Sequence, residues 1–146
     1  MDMMRIALNE ARSAANRGEV PVGAVLLAAD GTVLAQAGNQ TEADHDASAH
    51  AEMLVLREAG KLRRSPRLPD CDLVVTLEPC PMCAAAIAAF RIRRVLFGAY
   101  DPKGGGIEHG PRLYQSPGSH HRPEVIGGVR EAECAELLRD FFRDRR

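Results

Sequence analysis

Apolar residues recur at helical spacing from Met3 to Arg17, where Met4, Leu8, Ala11 and Ala15 share a face, and Gly18 is placed to end that helix. The pattern then changes period. Val20 to Ala29 is rich in Val and Leu and bounded by turn residues, which predicts a buried strand. Asp30-Gly31 marks a hairpin, Val33 to Ala37 the return strand, and Gly38-Asn39 its end. Gln40 to Ala49 is polar and turn-like. Ser48 is placed to cap a helix carrying His50, Glu52, Met53, Leu54 and Leu56, with Gly60 as its stop.

Lys61 to Asp70 is a basic loop containing Pro66 and Pro69. A short strand follows at Asp72 to Leu77, and Glu78-Pro79 turns the chain. Cys80 to Phe90 is an Ala-rich helix with Pro81 at a tolerated first-turn position, and Arg94 to Ala99 is the next strand. Asp101 to Pro123 is Gly- and Pro-rich without periodicity, a length of loop that is usually functional or mobile. Val125-Ile126 predicts a last short strand. Glu131 to Arg143 predicts a helix with Cys134, Leu137, Leu138 and Phe141 as its apolar stripe. Helix, hairpin, then alternating helices and strands imply a single α/β domain over residues 1–146, three-layered, with a central mixed five-stranded sheet.

Composition narrows the picture only modestly. Hydrophobic residues at 45% and charged residues at 27% fit an ordinary globular core. A net charge of −1 gives no global attraction to nucleic acid, so an RNA-binding surface would need a local basic patch. Arg63, Arg64 and Arg67, then Arg91, Arg93 and Arg94, then Arg143, Arg145 and Arg146 are the candidates. The N-terminus lacks the basic start and apolar core of a signal peptide, and no run approaches the ~20 apolar residues of a membrane helix. With two of the four cysteines in a metal-type C-x-x-C, the expectation is a cytoplasmic protein without disulfides.

Chemistry concentrates in two places, His50-Ala51-Glu52 and Pro79-Cys80-Pro81-Met82-Cys83. One imidazole and two thiols are good zinc ligands. Three protein ligands rather than four leave a position for water, the mark of a catalytic rather than a structural site. Cys80 and Cys83 are three apart at a helix start, where the positive dipole end favours thiolate. His50 opens a second helix, so Glu52 can reach water at the open position without binding the metal. H-x-E…P-C-x-x-C is the established signature of zinc nucleobase deaminases, whose reaction is hydrolytic removal of an exocyclic amine. Cys71 and Cys134, at a strand start and on an apolar helix face, are core residues and not ligands. His45 between Asp44 and Asp46, and the pair His120-His121, belong to polar loops. Gly104-Gly-Gly106 lacks the Lys-Ser/Thr of a phosphate loop and predicts flexibility.

Nearly end to end, the chain resembles the bacterial tRNA-specific adenosine deaminases, within the cytidine/deoxycytidylate deaminase superfamily. The resemblance rests on Glu19-Val-Pro-Val-Gly-Ala-Val25, Gly38-Asn39, Ala49-His-Ala-Glu52, Val75-Thr-Leu-Glu-Pro-Cys80, Arg91-Ile-Arg-Arg94, Phe97-Gly-Ala99, Asp101-Pro-Lys103, His121-Arg122 and Phe141-Phe-Arg143. It implies a cytidine-deaminase-like fold, one Zn2+ per subunit, a homodimer, and deamination of the wobble adenosine of an arginine-tRNA anticodon stem-loop to inosine. Carried over by position, it implies zinc on His50, Cys80 and Cys83, and Glu52 as proton shuttle. Asn39 would bind the target nucleoside, Asp101 and Lys103 the substrate strand, and Phe142 and Arg143 the anticodon loop. Ala47-Ser48 stands where the family more often has Pro-Thr, and the Gly104 to Gly118 loop is longer than usual. Two other readings stand beside this one: a deaminase of guanine, cytosine or a nucleoside, and a non-catalytic zinc module with a fourth protein ligand.

Overall fold

The structure is a computed structural model that describes residues 2–145; Met1 and Arg146, the last of the C-terminal arginine cluster, lie outside them. Helix α1 (Met3–Asn16) starts where the Asp2 carboxylate accepts the Arg5 amide, and ends before Gly18 at φ +85°. Strands β1 (Gly23–Leu27) and β2 (Val33–Gly38) form the expected antiparallel hairpin. Strand β3 (Asp72–Leu77) pairs antiparallel with β1 on its other side. Strands β4 (Arg94–Ala99) and β5 (Glu124–Ile126) continue the sheet in parallel with β3. The order β2-β1-β3-β4-β5 is a mixed five-stranded sheet.

Alternation along the strands splits the interior in two. Ala24 and Leu26 of β1, with Leu73 and Val75 of β3, pack toward α2 (Ala51–Arg63) and α3 (Pro81–Ala89). Val25, Leu27 and Val74 point the other way, toward α1 and toward Cys134 of α4 (Glu131–Arg143). Helices on both faces explain why β1 is apolar at every position, since neither side meets water. Gly23 sets the closeness of one layer: a Cβ there would stand 2.0 Å from the Ala7 carbonyl oxygen of α1.

Three boundaries differ from the sequence expectation. The first strand begins at Gly23 rather than Val20, because Pro21 has no N–H to give a ladder and Val22 folds back onto the Val20 carbonyl. Helix α2 begins at Ala51, and Ser48 does not cap it; the Ser48 hydroxyl is taken by Asp46 at 2.7 Å. Gly60 does not stop that helix either. It lies within it, where a Cβ would meet Phe90 at 3.3 Å, and the left-handed cap falls on Arg64 at φ 52°.

The polar loop between β2 and α2 is tied down by Glu19, a buried carboxylate at 1% exposure. Its oxygens accept the amides of Glu42 at 3.1 Å and Ala43 at 2.9 Å, and the Thr41 hydroxyl lies at 3.4 Å. Burial alone would raise this carboxyl, but the Ala43 and Glu42 amides and the Thr41 hydroxyl outweigh it and hold the pKa below its usual 4.5. Because folding lowers the pKa, the stabilisation is complete above that value and is lost as pH falls through the folded one. Glu19→Gln is expected to destabilise the fold by about 2 kcal/mol near pH 7, since an amide cannot serve all these donors. In denaturant titrations the gap to wild type should shrink below about pH 4. A gap that stays constant into acid would show that the charge contributes nothing.

Candidate active site

Two helix starts meet at the end of the sheet where β3 stops. Cys80 is the N-cap of α3, with Pro81 in its first turn, and His50 is the N-cap of α2. The side chain that caps α2 comes from elsewhere in the chain: Asn39 Oδ1, just after β2, accepts the Ala51 amide at 2.8 Å. That bond fixes the amide orientation of Asn39 and leaves its Nδ2 as a donor. Asn39 is itself 8% exposed.

His50 Nδ1 lies 3.7 Å from Cys80 Sγ and 3.5 Å from Cys83 Sγ. Tetrahedral zinc, with bonds of about 2.3 Å to sulfur and 2.0–2.1 Å to nitrogen, places its donor atoms roughly 3.5–3.8 Å apart. Both nitrogen–sulfur distances fit that ion. Among the described residues the donor group is limited to these three side chains, which leaves one corner of a tetrahedron to water. Cys71 and Cys134 are buried elsewhere, and burial pushes each thiol up to about 11. The fourth protein ligand required by a structural zinc module is absent from the described residues. Within the cluster, the Cys83 thiol and His50 lower Cys80 to about 4, while Cys83, hydrogen-bonded to Cys80 and deeply buried, is raised.

Glu52 occupies the first turn of α2, 4% exposed, beside this cluster but outside the donor group. Burial drives its carboxyl up to about 7, against the opposing influence of its own backbone amide and His50. A carboxyl balanced near neutrality can both take and return a proton at working pH.

The loop after β4 is held by a residue that the sequence presented only as part of a turn. The Glu78 side chain is fully buried. Oε1 accepts the Asp101 amide at 3.0 Å and His109 Nδ1 at 2.8 Å. Oε2 accepts the amides of Ile107, Glu108 and His109 at 3.2, 2.8 and 3.1 Å. Burial would raise this carboxyl, yet the Asp101 amide, the His109 ring and the neighbouring amides hold it below its usual value. The expected flexibility of Gly104-Gly-Gly106 is therefore corrected in part. A Cβ on Gly105 would stand 2.4 Å from Glu78 Oε2, and one on Gly106 would stand 2.7 Å from the Pro81 nitrogen. These glycines let the loop press against the ligand-bearing turn. A carboxylate directly after the apolar strand Asp72–Leu77 was the available signal, and the Pro after it marked only a turn.

Other candidate residues fall outside the cluster. Asp101 spends Oδ1 on the amides of Lys103 and Gly104, at 3.2 and 2.9 Å, and so shapes its own turn; Lys103 is exposed. Phe142 and Arg143 lie exposed on the last turn of α4, where Arg143 pairs with Asp140 and Asp144. Arg63, Arg93 and Arg94, drawn from two of the basic clusters, do not converge on the site. Arg63 pairs with Asp70, Arg93 with Asp72 and Arg94 with Glu124, all where β3, β4 and β5 begin. Cys80 follows the other end of β3, on the order of 20 Å away by strand rise. His121 is structural, with Nε2 2.7 Å from the Ile92 carbonyl oxygen.

Residues 1–99 match the family described as the cytidine and deoxycytidylate deaminase zinc-binding region. The chain is 54% identical over 143 residues to the tRNA-specific adenosine deaminase of Agrobacterium fabrum, covering 98% of this chain and 93% of that one. Identity to the tRNA-specific adenosine deaminase of Bacillus subtilis is 47% over 143 residues, covering 98% and 88%. A solved structure from a study of A-to-I editing by tRNA:A34 deaminases at the wobble position of transfer RNA superposes with a TM-score of 0.91 at 54% identity. It covers 93% of this chain and 98% of that one.

Elemental analysis of protein grown with zinc is expected to find about one zinc per chain. His50→Ala and Cys83→Ala should each fall well below half of that, whereas Glu52→Gln should match wild type. Zinc loss from Glu52→Gln would make the carboxylate a ligand and overturn the three-donor arrangement.

Proposed function

This chain belongs to the cytidine and deoxycytidylate deaminase family, and from that membership we propose that it deaminates the wobble adenosine of a tRNA anticodon, arginine tRNA first among candidates, to inosine. The reading is carried by a three-donor zinc cluster, open at one corner beside a buried carboxylate, in a chain that follows tRNA adenosine deaminases along almost its whole length. His50, Cys80 and Cys83 would hold the ion. Zinc, when bound, supplies the Lewis acidity that makes water a nucleophile near neutral pH.

Glu52 moves the protons. It takes one from the attacking water and delivers it to the adenine ring nitrogen beside C6 as the carbon–oxygen bond forms. It then passes the second water proton to the exocyclic amine as the carbon–nitrogen bond breaks, so that adenosine and water leave as inosine and ammonia. Asn39, its oxygen held on the Ala51 amide, offers Nδ2 to the nucleoside and orients it over the cluster. Lys103, on the loop clamped by Glu78, borders the substrate strand, and Asp101 keeps that border in shape. Phe142 and Arg143 extend the contact along α4 toward the anticodon loop.

A homodimer belongs to the same reading. The alanines of α3, including exposed Ala85 and Ala89, line a cavity of about 500 Å³ with Tyr114 and would allow close packing of a second subunit beside the ligand helix. No helix among the described residues is long and apolar enough to cross a membrane. A tRNA substrate places the enzyme in the cytoplasm.

Zinc-loaded protein incubated with an arginine-tRNA anticodon stem-loop bearing wobble adenosine is expected to produce inosine, with guanine, cytosine and cytidine in parallel tubes giving no ammonia. Glu52→Gln should lower the rate by about 10²–10⁴ while keeping its zinc. Ammonia from a free base beside an untouched stem-loop would transfer the assignment to a small-molecule deaminase.

A further inference from the structure

Only six residues of the chain are aromatic by Phe and Tyr count, four Phe and two Tyr, and most of them are inside. Tyr100 is not. It follows β4 and is 40% exposed, yet it is held firmly in place. The ring of buried Phe97 meets it edge to face, with centroids 5.0 Å apart and planes at 88°. The His109 ring stands on another side at 6.1 Å and 78°. The backbone of Gly127 closes behind, so near that a Cβ there would come within 2.8 Å of the Tyr100 hydroxyl.

Both members of this pair are anchored to the ligand-bearing turn through one carboxylate. Glu78, two residues before Cys80, accepts the His109 ring at 2.8 Å and the amide of Asp101, next to Tyr100, at 3.0 Å. The aromatic step is thus continuous with the catalytic cluster. Its surroundings also restrict what it can receive. Asp101 adjoins it, Glu108 is exposed next to His109, and Glu131 Oε2 lies 3.6 Å from where a Gly128 Cβ would stand, itself 3.6 Å from the Tyr100 ring. Carboxylates so placed disfavour a phosphate. A flat, uncharged base fits, because every base has a face that can stack on an aromatic ring.

Resting on the proposed tRNA activity, we infer that Tyr100, steadied by His109, is a stacking platform for an unpaired base that flanks the target adenosine. A nucleotide flipped from a loop leaves its neighbours unstacked, and an aromatic side chain replaces the stacking they lose. Tyr100 then determines specificity for single-stranded context without taking part in bond making.

Steady-state kinetics on the anticodon stem-loop test this with Tyr100→Phe, Tyr100→Leu and Tyr100→Ala. Each would be checked first for zinc content and thermal melting. Tyr100→Ala is expected to raise KM about tenfold with kcat little changed, Tyr100→Leu to fall between, and Tyr100→Phe to stay within about twofold of wild type. Substrates with an abasic residue at the 5′ or the 3′ neighbour supply the decisive arm. On one of them wild type and Tyr100→Ala should converge, because the stacking partner is gone. A KM gap that persists on both abasic substrates, or no gap on the intact one, overturns the platform. If the wild type leaves the intact stem-loop untouched, the tRNA reading falls and takes this inference with it. A processed stem-loop without Tyr100 dependence removes this inference alone.

Discussion

A carboxylate sealed from water must be given donors, and the way Glu78 obtains them organises the catalytic end of this molecule. Four backbone amides and an imidazole converge on it from the segment 101–109, which would otherwise be an unstructured excursion after β4. Glu78 itself belongs to the turn that carries Cys80. One side chain therefore fixes the metal turn and the 101–109 loop relative to each other. The same solution recurs at smaller scale with Glu19, which ties the loop leading into His50. Both loops that frame the cluster are fastened by buried carboxylates, with Ile107 adding an apolar anchor to the second. Amide hydrogen bonds hold backbone in a defined path, and the catalytic groups need a defined path more than a large core.

The sheet supplies the other half of the arrangement. β3 and β4 run parallel, so their C-terminal ends lie together and the turns leaving them are neighbours. Helix α3 begins in the first of these turns. Helix α2 reaches the same place through the cap that Asn39 provides. With both N-termini facing the donors, partial positive charge acts in the same sense as the Cys83 and His50 contacts that favour thiolate at Cys80 before any ion arrives.

Much of this was legible in the chain. Alternation and unbroken apolar runs located the strands, because burial on one face or both leaves a direct imprint on composition. The metal donors were legible because few other arrangements need H-x-E and C-x-x-C together. The misses share a cause. Ser48 has the composition of a cap, but Asp46 claims its hydroxyl and Asn39 reaches in from twelve residues away. Gly60 has the composition of a stop, but a neighbouring phenylalanine requires a small residue there. The arginines of the first two clusters look like a track for phosphate, yet Arg63, Arg93 and Arg94 among them pair with acids at the far end of the sheet. Each error treats a residue by its local preference where a partner distant in sequence decides. Glu78 was hidden for the same reason, since all its donors lie more than twenty residues downstream.

The clamp on Glu78 ends at His109. From Gly110 to the start of β5, the chain returns to the framework at a few points, among them the Leu113 amide on the Gly106 carbonyl and the Tyr114 hydroxyl on the Ala84 carbonyl. Tyr114 is buried against the ligand helix, whereas the hydrogen bonds of residues 116–119 are to one another and to Leu113, His121 and Arg122. The architecture separates a firmly braced chemical centre from a margin held mainly by local contacts. Loops of other lengths grafted between residues 116 and 119 would leave the Leu113 and Tyr114 anchors in place, and so vary the edge of the scaffold without touching the turn that carries the donors.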